Sequence, residues 1–188
     1  QQAVSRGVKE IILIGQDITQ YGQDREEGPR LADLLRELAP IEGLQWIRLL
    51  YTHPAHLTPD VIQLIAEERK ICKYLDLPLQ HIDDGILKAM NRNVSEEEIR
   101  ELIGRLRREI PGIILRTSLM VGFPGETKNR YEKLLRFVRE TQFDRLGVFT
   151  YSREDGTPAA SLKGQVSEKV KAGRYHEIMA LQKRISRQ

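Results

Sequence analysis

Apolar residues fall into two alternating kinds of segment along the chain. Short runs rich in branched side chains, at 8–14, 46–50, 72–79, 113–121 and 145–151, keep apolar residues on neighbouring positions, as strands covered on both faces do. Between them the period becomes helical: Leu31, Leu34, Leu35 and Leu38 share one face, as do Val61, Leu64 and Ile65, then Ile99, Leu102, Ile103 and Leu106, then Leu134, Leu135 and Val138. The punctuation agrees. Thr58 followed by Pro59 reads as an N-cap with a first-turn proline, Ser95 with Glu98 as a capping box, and Ile110-Pro111-Gly112 as a helix stop. Gly85, Gly104 and Gly173 interrupt helical patterns without an evident reason. Strand, helix, strand with short links demands a parallel sheet and right-handed crossovers. Five strands are too few for a closed eight-stranded barrel, and residues 1–6 read as the end of a helix. The expected architecture over residues 1–188 is therefore α/β: a partial TIM-like (βα) barrel with parallel strands and its first βα unit missing.

Composition narrows this further. With 188 residues, 40% hydrophobic and 30% charged, the chain can build a core, which sets disorder and collagen aside. Its longest wholly aliphatic run, 11–14, is far below the roughly 18 residues of a membrane span. A single cysteine, Cys72, forms no internal disulfide and holds no cluster alone, so the expectation is a cytoplasmic protein without a membrane partner. The chain starts at Gln1 with no signal-like segment and reads as a piece of a longer protein. Its first strand should then be a sticky edge. The net charge is +3, yet 163–188 carries a net +5 from seven Lys/Arg and two acids. The plain reading is a solvated helix face; the functional one is contact with a ribosome or RNA through a basic C-terminal helix.

In a parallel βα array, function belongs at the carboxyl ends of the strands. Polar clusters follow all five runs: Gly15-Gln16-Asp17, Tyr51-Thr52-His53-Pro54, Pro78-Leu79-Gln80-His81, Gly122-Phe123-Pro124-Gly125-Glu126, and 151–158. They should line a rim whose glycines admit a ligand against the backbone. Each cluster could also be ordinary turn chemistry. His53, His56 and His81 with Asp17 could ligate a metal in a hydrolase on a partial barrel, but no residue is assigned as a metal ligand or as catalytic. Cys72 opens a strand and reads as packing rather than a nucleophile.

The order of these motifs carries a resemblance. Ile14-Gly15-Gln16-Asp17, Leu77-Pro78-Leu79-Gln80-His81, Leu87-Lys88-Ala89-Met90-Asn91-Arg92, Arg116-Thr117-Ser118-Leu119-Met120-Val121-Gly122-Phe123-Pro124-Gly125-Glu126-Thr127 and Phe149-Thr150-Tyr151-Ser152 through Gly156-Thr157-Pro158 together resemble the radical S-adenosylmethionine (SAM) methylthiotransferases over nearly the whole chain. Gln80-His81-Ile82 and Phe143-Asp144-Arg145-Leu146-Gly147 are similar to the branch that modifies an aspartate of a small-subunit ribosomal protein, rather than to the branch that modifies a tRNA adenosine. The resemblance implies SAM and, in the full-length parent, two 4Fe-4S clusters. The amino-terminal cluster domain, the CxxxCxxC loop and a carboxyl-terminal β domain are absent from these 188 residues, so the piece should be inactive alone. It also implies cofactor contacts: Gln16 and Asp17 at the methionyl amino end, Gln80 and Arg116 toward the carboxylate or ribose, Gly122 and Phe123 against the adenine, and Tyr151 on the adenine or substrate side. Lys128-Asn129-Arg130 stands where the family has mostly acids, so that helix start should be weak.

Overall fold

The computed structural model describes residues 1–187, which form two compact units, Gln1–Leu77 with Glu101–Leu115, and Pro78–Arg100 with the described residues from Arg116 onward. The first holds α1 (Gln2–Ser5), β1 (Glu10–Leu13), α2 (Leu31–Leu38), β2 (Trp46–Leu49), α3 (Pro59–Glu67) and β3 (Ile71–Asp76). Strands β1, β2 and β3 pair in parallel in chain order, with Glu10 opposite Trp46 and Leu13 opposite Leu49. Helices α2 and α3 turn Leu31, Leu35, Val61, Ile62 and Ile65 inward against Ile47, Leu49, Ile71 and Leu75, all buried. The helical periods seen in the sequence are thus the core faces. Pro59 is the first residue of α3, where a missing N–H costs nothing.

In the second unit, α4 (Asp84–Ala89), α6 (Lys128–Thr141) and α7 (Glu168–Ile185) accompany β5 (Arg145–Thr150) and most of β4 (Ile114–Val121); α5 (Glu96–Glu109) begins here and continues in the first unit. β4 and β5 are parallel, from Arg116 opposite Arg145 to Val121 opposite Thr150. Along β4, Leu115, Thr117, Leu119 and Val121 are buried while Arg116, Ser118 and Met120 are half-buried, the alternation a pleated strand imposes. The capping box closes as expected: Ser95 N–H donates to Glu98 Oε2 at 2.7 Å and Glu98 N–H to Ser95 Oγ at 3.2 Å.

Three expectations need correcting. The third strand stops at Asp76 rather than Leu79, because Pro78 brings no N–H and the ladder breaks there. The 128–130 helix start is firm despite its cations. Thr127 caps it by accepting from Arg130 N–H, Arg130 Nη1 donates to Gly125 O at 2.8 Å, and its Nε lies 3.2 Å from Asp83 Oδ1. Nor is the basic C-terminal face wholly solvated, since Lys171 is 2% exposed and Arg174 is half-buried. No helix among the described residues is long and apolar enough to cross a membrane.

Candidate functional site

In the second unit, four of the predicted residues meet at the ends of β4 and β5. Gln80 re-enters the sheet alone: its N–H donates to Ser118 O at 2.9 Å and its carbonyl accepts from Met120 N–H at 2.8 Å. To do so it takes φ +69°, a left-handed conformation that orients the residue by backbone rather than by packing. Tyr151 extends the opposite ladder, donating its N–H to Val121 O at 2.9 Å. The Phe123 and Tyr151 rings meet edge to face, centroids 5.2 Å apart, in a buried cluster with Ile86 against which Met90, Met120 and Ala159 pack. The Tyr151 hydroxyl is buried there without a hydrogen-bond partner among the described residues. Arg116 is not at the tip. It sits in the third position of β4, about 16 Å of strand below Val121 at the usual rise, on the face it shares with Ser118 and Met120.

The loop that presents Gly122 and Phe123 is held from beneath. Gly122 has φ +75°, and a Cβ there would run into the Cγ and Cδ of Lys171. Lys171 Nζ donates to Tyr151 O at 2.7 Å and to Glu168 Oε1 at 2.6 Å, and lies 5.2 Å from the Tyr151 ring centroid. Glu126 is fully buried. Its Oε2 accepts from Gly122 N–H and from Arg174 Nη1, the latter at 2.8 Å, while Arg174 also donates to Glu126 O at 2.9 Å. His81 Nδ1 accepts from Asp83 N–H at 2.9 Å, so the proton of the neutral ring sits on Nε2, facing Glu126 Oε1 at 3.5 Å. These supports were invisible as such in the sequence: Glu126 and Arg174 stand 48 residues apart, and no local pattern links them.

Tyr131 closes the network. Its hydroxyl donates to Glu177 Oε2 at 2.8 Å under the Arg174 guanidinium, which lies 5.1 Å from the ring centroid. Burial, then the bond to Glu177, hold this phenol un-ionised above its ordinary range. A folded-state pKa raised above the unfolded one leaves stability intact below about pH 10 and erodes it as pH rises further, since the unfolded chain sheds the proton first. Thermal denaturation across alkaline pH should show this loss, and Tyr131→Phe should flatten it; an unchanged slope in the variant would remove the assignment.

In the first unit, Asp17 caps the 3-10 turn Ile18–Gln20. Its Oδ1 accepts from Thr19 N–H at 3.0 Å and from the Thr19 hydroxyl; its Oδ2 lies 2.7 Å from His56 Nδ1 and 3.1 Å from Gln20 Nε2. Burial opposes the Asp17 charge, but the bonds from Thr19 and His56 outweigh it and hold the carboxyl below its usual range. Both oxygens are therefore engaged, whereas Gln16 beside it is exposed. His53 and His56 stack with centroids 4.7 Å apart. The tip of β2 is pinned to this turn by Ile18 N–H donating to Tyr51 O at 3.1 Å, with Tyr51 at φ +56°. Of the four candidate metal ligands, Asp17, His53 and His56 come together, whereas His81 belongs to the buried network of the second unit. Cys72 is half-buried, and burial pushes its thiol up against the pull of Arg48, as fits packing rather than nucleophilic attack.

The radical SAM superfamily matches residues 1–138. The chain is 61% identical over 186 residues to ribosomal protein uS12 methylthiotransferase RimO of Geotalea uraniireducens (strain Rf4), an alignment that takes in 99% of this chain and 42% of that protein. It is 61% identical over 183 residues to the protein so named in Geobacter sulfurreducens, covering 97% of this chain and 41% of the relative. The chain thus spans about two fifths of the length of these curated relatives. Among solved structures, the radical SAM methyltransferase TsrM from Kitasatospora setae superposes with a TM-score of 0.63 at 19% identity, covering 81% of this chain and 29% of TsrM. The coproporphyrinogen III oxidase HemN of Escherichia coli gives 0.63 at 24%, covering 82% of this chain and 36% of HemN. At such identities the likeness is one of fold: the parallel sheet is of the radical SAM type, as expected for a partial βα barrel.

Proposed function

We propose, starting from the fact that this chain belongs to the radical SAM superfamily, that it is part of a cytoplasmic methylthiotransferase that places a methylthio group on an aspartate side chain of a small-subunit ribosomal protein. The observation that carries this reading is the 61% identity to a uS12 methylthiotransferase across 99% of the chain. The superfamily implies SAM and at least one iron–sulfur cluster. The second unit fits SAM: the buried, unpartnered Tyr151 hydroxyl beside the Phe123 ring offers an aromatic edge with a hydrogen-bonding group, suited to an adenine. The cluster does not fit these residues, because one cysteine cannot supply three thiolates. Its ligands, and a second 4Fe-4S cluster, belong to sequence outside the 188 residues.

When bound, the cofactors supply one-electron cleavage and group-transfer chemistry; the protein binds and orients. Gln80, fixed by two backbone bonds to β4, presents its amide to the ribose or carboxylate. Arg116, on the face of β4 with Ser118 and Met120, is the cation assigned to the carboxylate, with which a guanidinium makes a charge-assisted pair. Gly122 and Phe123 lie on the adenine side with Tyr151, their loop held shut by Glu126. Gln16 serves the methionyl amino end; Asp17, which the resemblance also puts there, has both oxygens engaged by Thr19, Gln20 and His56 and is proposed instead to hold the turn. The exposed cations Lys163, Lys169, Lys183, Arg184 and Arg187 are the remaining candidates for ribosome or RNA contact.

The test is to incubate the full-length parent, reconstituted with iron and sulfide, with SAM, a reductant and the purified ribosomal protein. Mass spectrometry should find a methylthio group in place of one hydrogen on an aspartate. Modification of a tRNA adenosine instead, or of neither, overturns the reading.

A further inference from the structure

Two loops of the first unit bring together side chains that SAM binding does not consume. Asp17, on the turn after β1, and His53 and His56, flanking Pro54 after β2, place one ligand atom each within 4.8 Å of one another. Asp17 Oδ2 and His56 Nδ1 are already 2.7 Å apart. Ligand atoms on one Zn2+, at about 2.0–2.1 Å from the metal, stand roughly 3.3 Å from each other in tetrahedral geometry. A small rotation of the two rings therefore suffices.

The loops are preorganised for it. Ile18 N–H donates to Tyr51 O, and His53 N–H to Thr19 Oγ1 at 3.3 Å, so the two turns are tied by backbone before any ion arrives. Asp17 keeps its Oδ1 on Thr19, while its Oδ2 faces the rings and also accepts from Gln20 Nε2 at 3.1 Å, a bond the ion would have to displace. Pro54 opens the 3-10 turn Pro54–His56, and its fixed φ restrains the segment between the two histidines. The rings stack at 4.7 Å with an interplanar angle of 28°. All three residues are half-buried, reachable from solvent yet partly shielded.

We propose that Asp17, His53 and His56 form a mononuclear site for a divalent cation of the Zn2+ class, bridging the loops after β1 and β2. Two imidazole nitrogens and one carboxylate oxygen are the donor set such an ion takes, with its fourth position open to water. The ion takes the place of the hydrogen shared by Asp17 Oδ2 and His56 Nδ1: in a neutral ring that proton passes to Nε2, and from an imidazolium it leaves to solvent. His53 Nδ1 exchanges the Ala55 N–H, now 3.2 Å away, for the metal. This site is independent of the function proposed above: either can fail without the other.

The probe is Co2+, titrated into the chelator-treated 188-residue chain and then displaced by Zn2+. One Co2+ per chain with visible d–d absorption, and no sulfur charge-transfer band from Cys72, is expected. His53→Ala, His56→Ala and Asp17→Asn should each weaken binding by at least about 10–100-fold, the loss that removing even a group bonded to a ligand brings, while His176→Ala, at an exposed histidine elsewhere, should not. Circular dichroism checks that each variant folds. Zinc-edge X-ray absorption of the unaltered chain gives a reading that needs no variant, with two imidazoles expected in the first shell. Absent one-to-one binding, affinity indifferent to all three substitutions, or fewer than two imidazoles on the zinc would each overturn the site.

Discussion

Replacing Glu126 with alanine is expected to lower the unfolding free energy by about 3–5 kcal/mol, the usual cost of removing one member of a buried ion pair. The carboxylate has no exposed surface and serves two charged or polar donors at once, the Arg174 guanidinium and Gly122 N–H, with His81 Nε2 facing its second oxygen. Truncation strands both of these donors in a space closed to water, and stranded donors cost more than the bonds they made. Glu126→Gln should fall between, because an amide oxygen still accepts from Gly122 N–H but no longer neutralises Arg174. Urea denaturation of the three proteins measures the order. A loss below about 1 kcal/mol for Glu126→Ala would show that the pairing contributes little.

Gly122→Ala is the second large effect, at about 3 kcal/mol. Two costs add. A left-handed φ of +75° carries a penalty of roughly 1–2 kcal/mol for any residue with a Cβ, and the new methyl overlaps the Lys171 stem, whose displacement costs about 1–3 kcal/mol in a packed region. Lys171 cannot yield freely, since moving it breaks its 2.7 Å bond to Tyr151 O. Gly156→Ala separates the two costs. It has φ +81° with nothing within 4 Å of a Cβ, so only the conformational penalty applies. Equal losses at the two positions would dismiss the role given to Lys171.

The sheet and its long helices were legible because apolar runs and helical stripes write themselves into neighbouring residues, although the strands expected to be covered on both faces leave Ile12, Trp46 and Phe149 exposed. Leu31 and Leu35, or Leu134 and Val138, needed no distant information. Helix α4 showed only as a helical pattern interrupted by Gly85, its six residues being too few to fix a period. A Cβ at Gly85 would come within 2.7 Å of the Arg130 guanidinium, the movable end of a flexible side chain. The strand-tip positions of Gln80, Gly122, Phe123 and Tyr151 were legible because each follows an apolar run, while the roles proposed for them came from the motifs. Arg116 came from the motif alone and lies low on its strand. Lys171 and Arg174 were misread as surface charge, since their partners, Tyr151 and Glu126, lie 20 and 48 residues away. Pairings over such distances leave no local trace.

The anchoring of β4 and β5 by α7 has a consequence for biosynthesis. Chain emerging from a ribosome delivers Glu126 and the Gly122 turn well before Lys171 and Arg174, so during translation that carboxylate has no cationic mate and stays hydrated. The second unit can settle only after its final helix has cleared the exit tunnel. A chain released after residue 165 should remain open to protease at this turn, whereas one whose residues 168–185 lie outside the tunnel should resist.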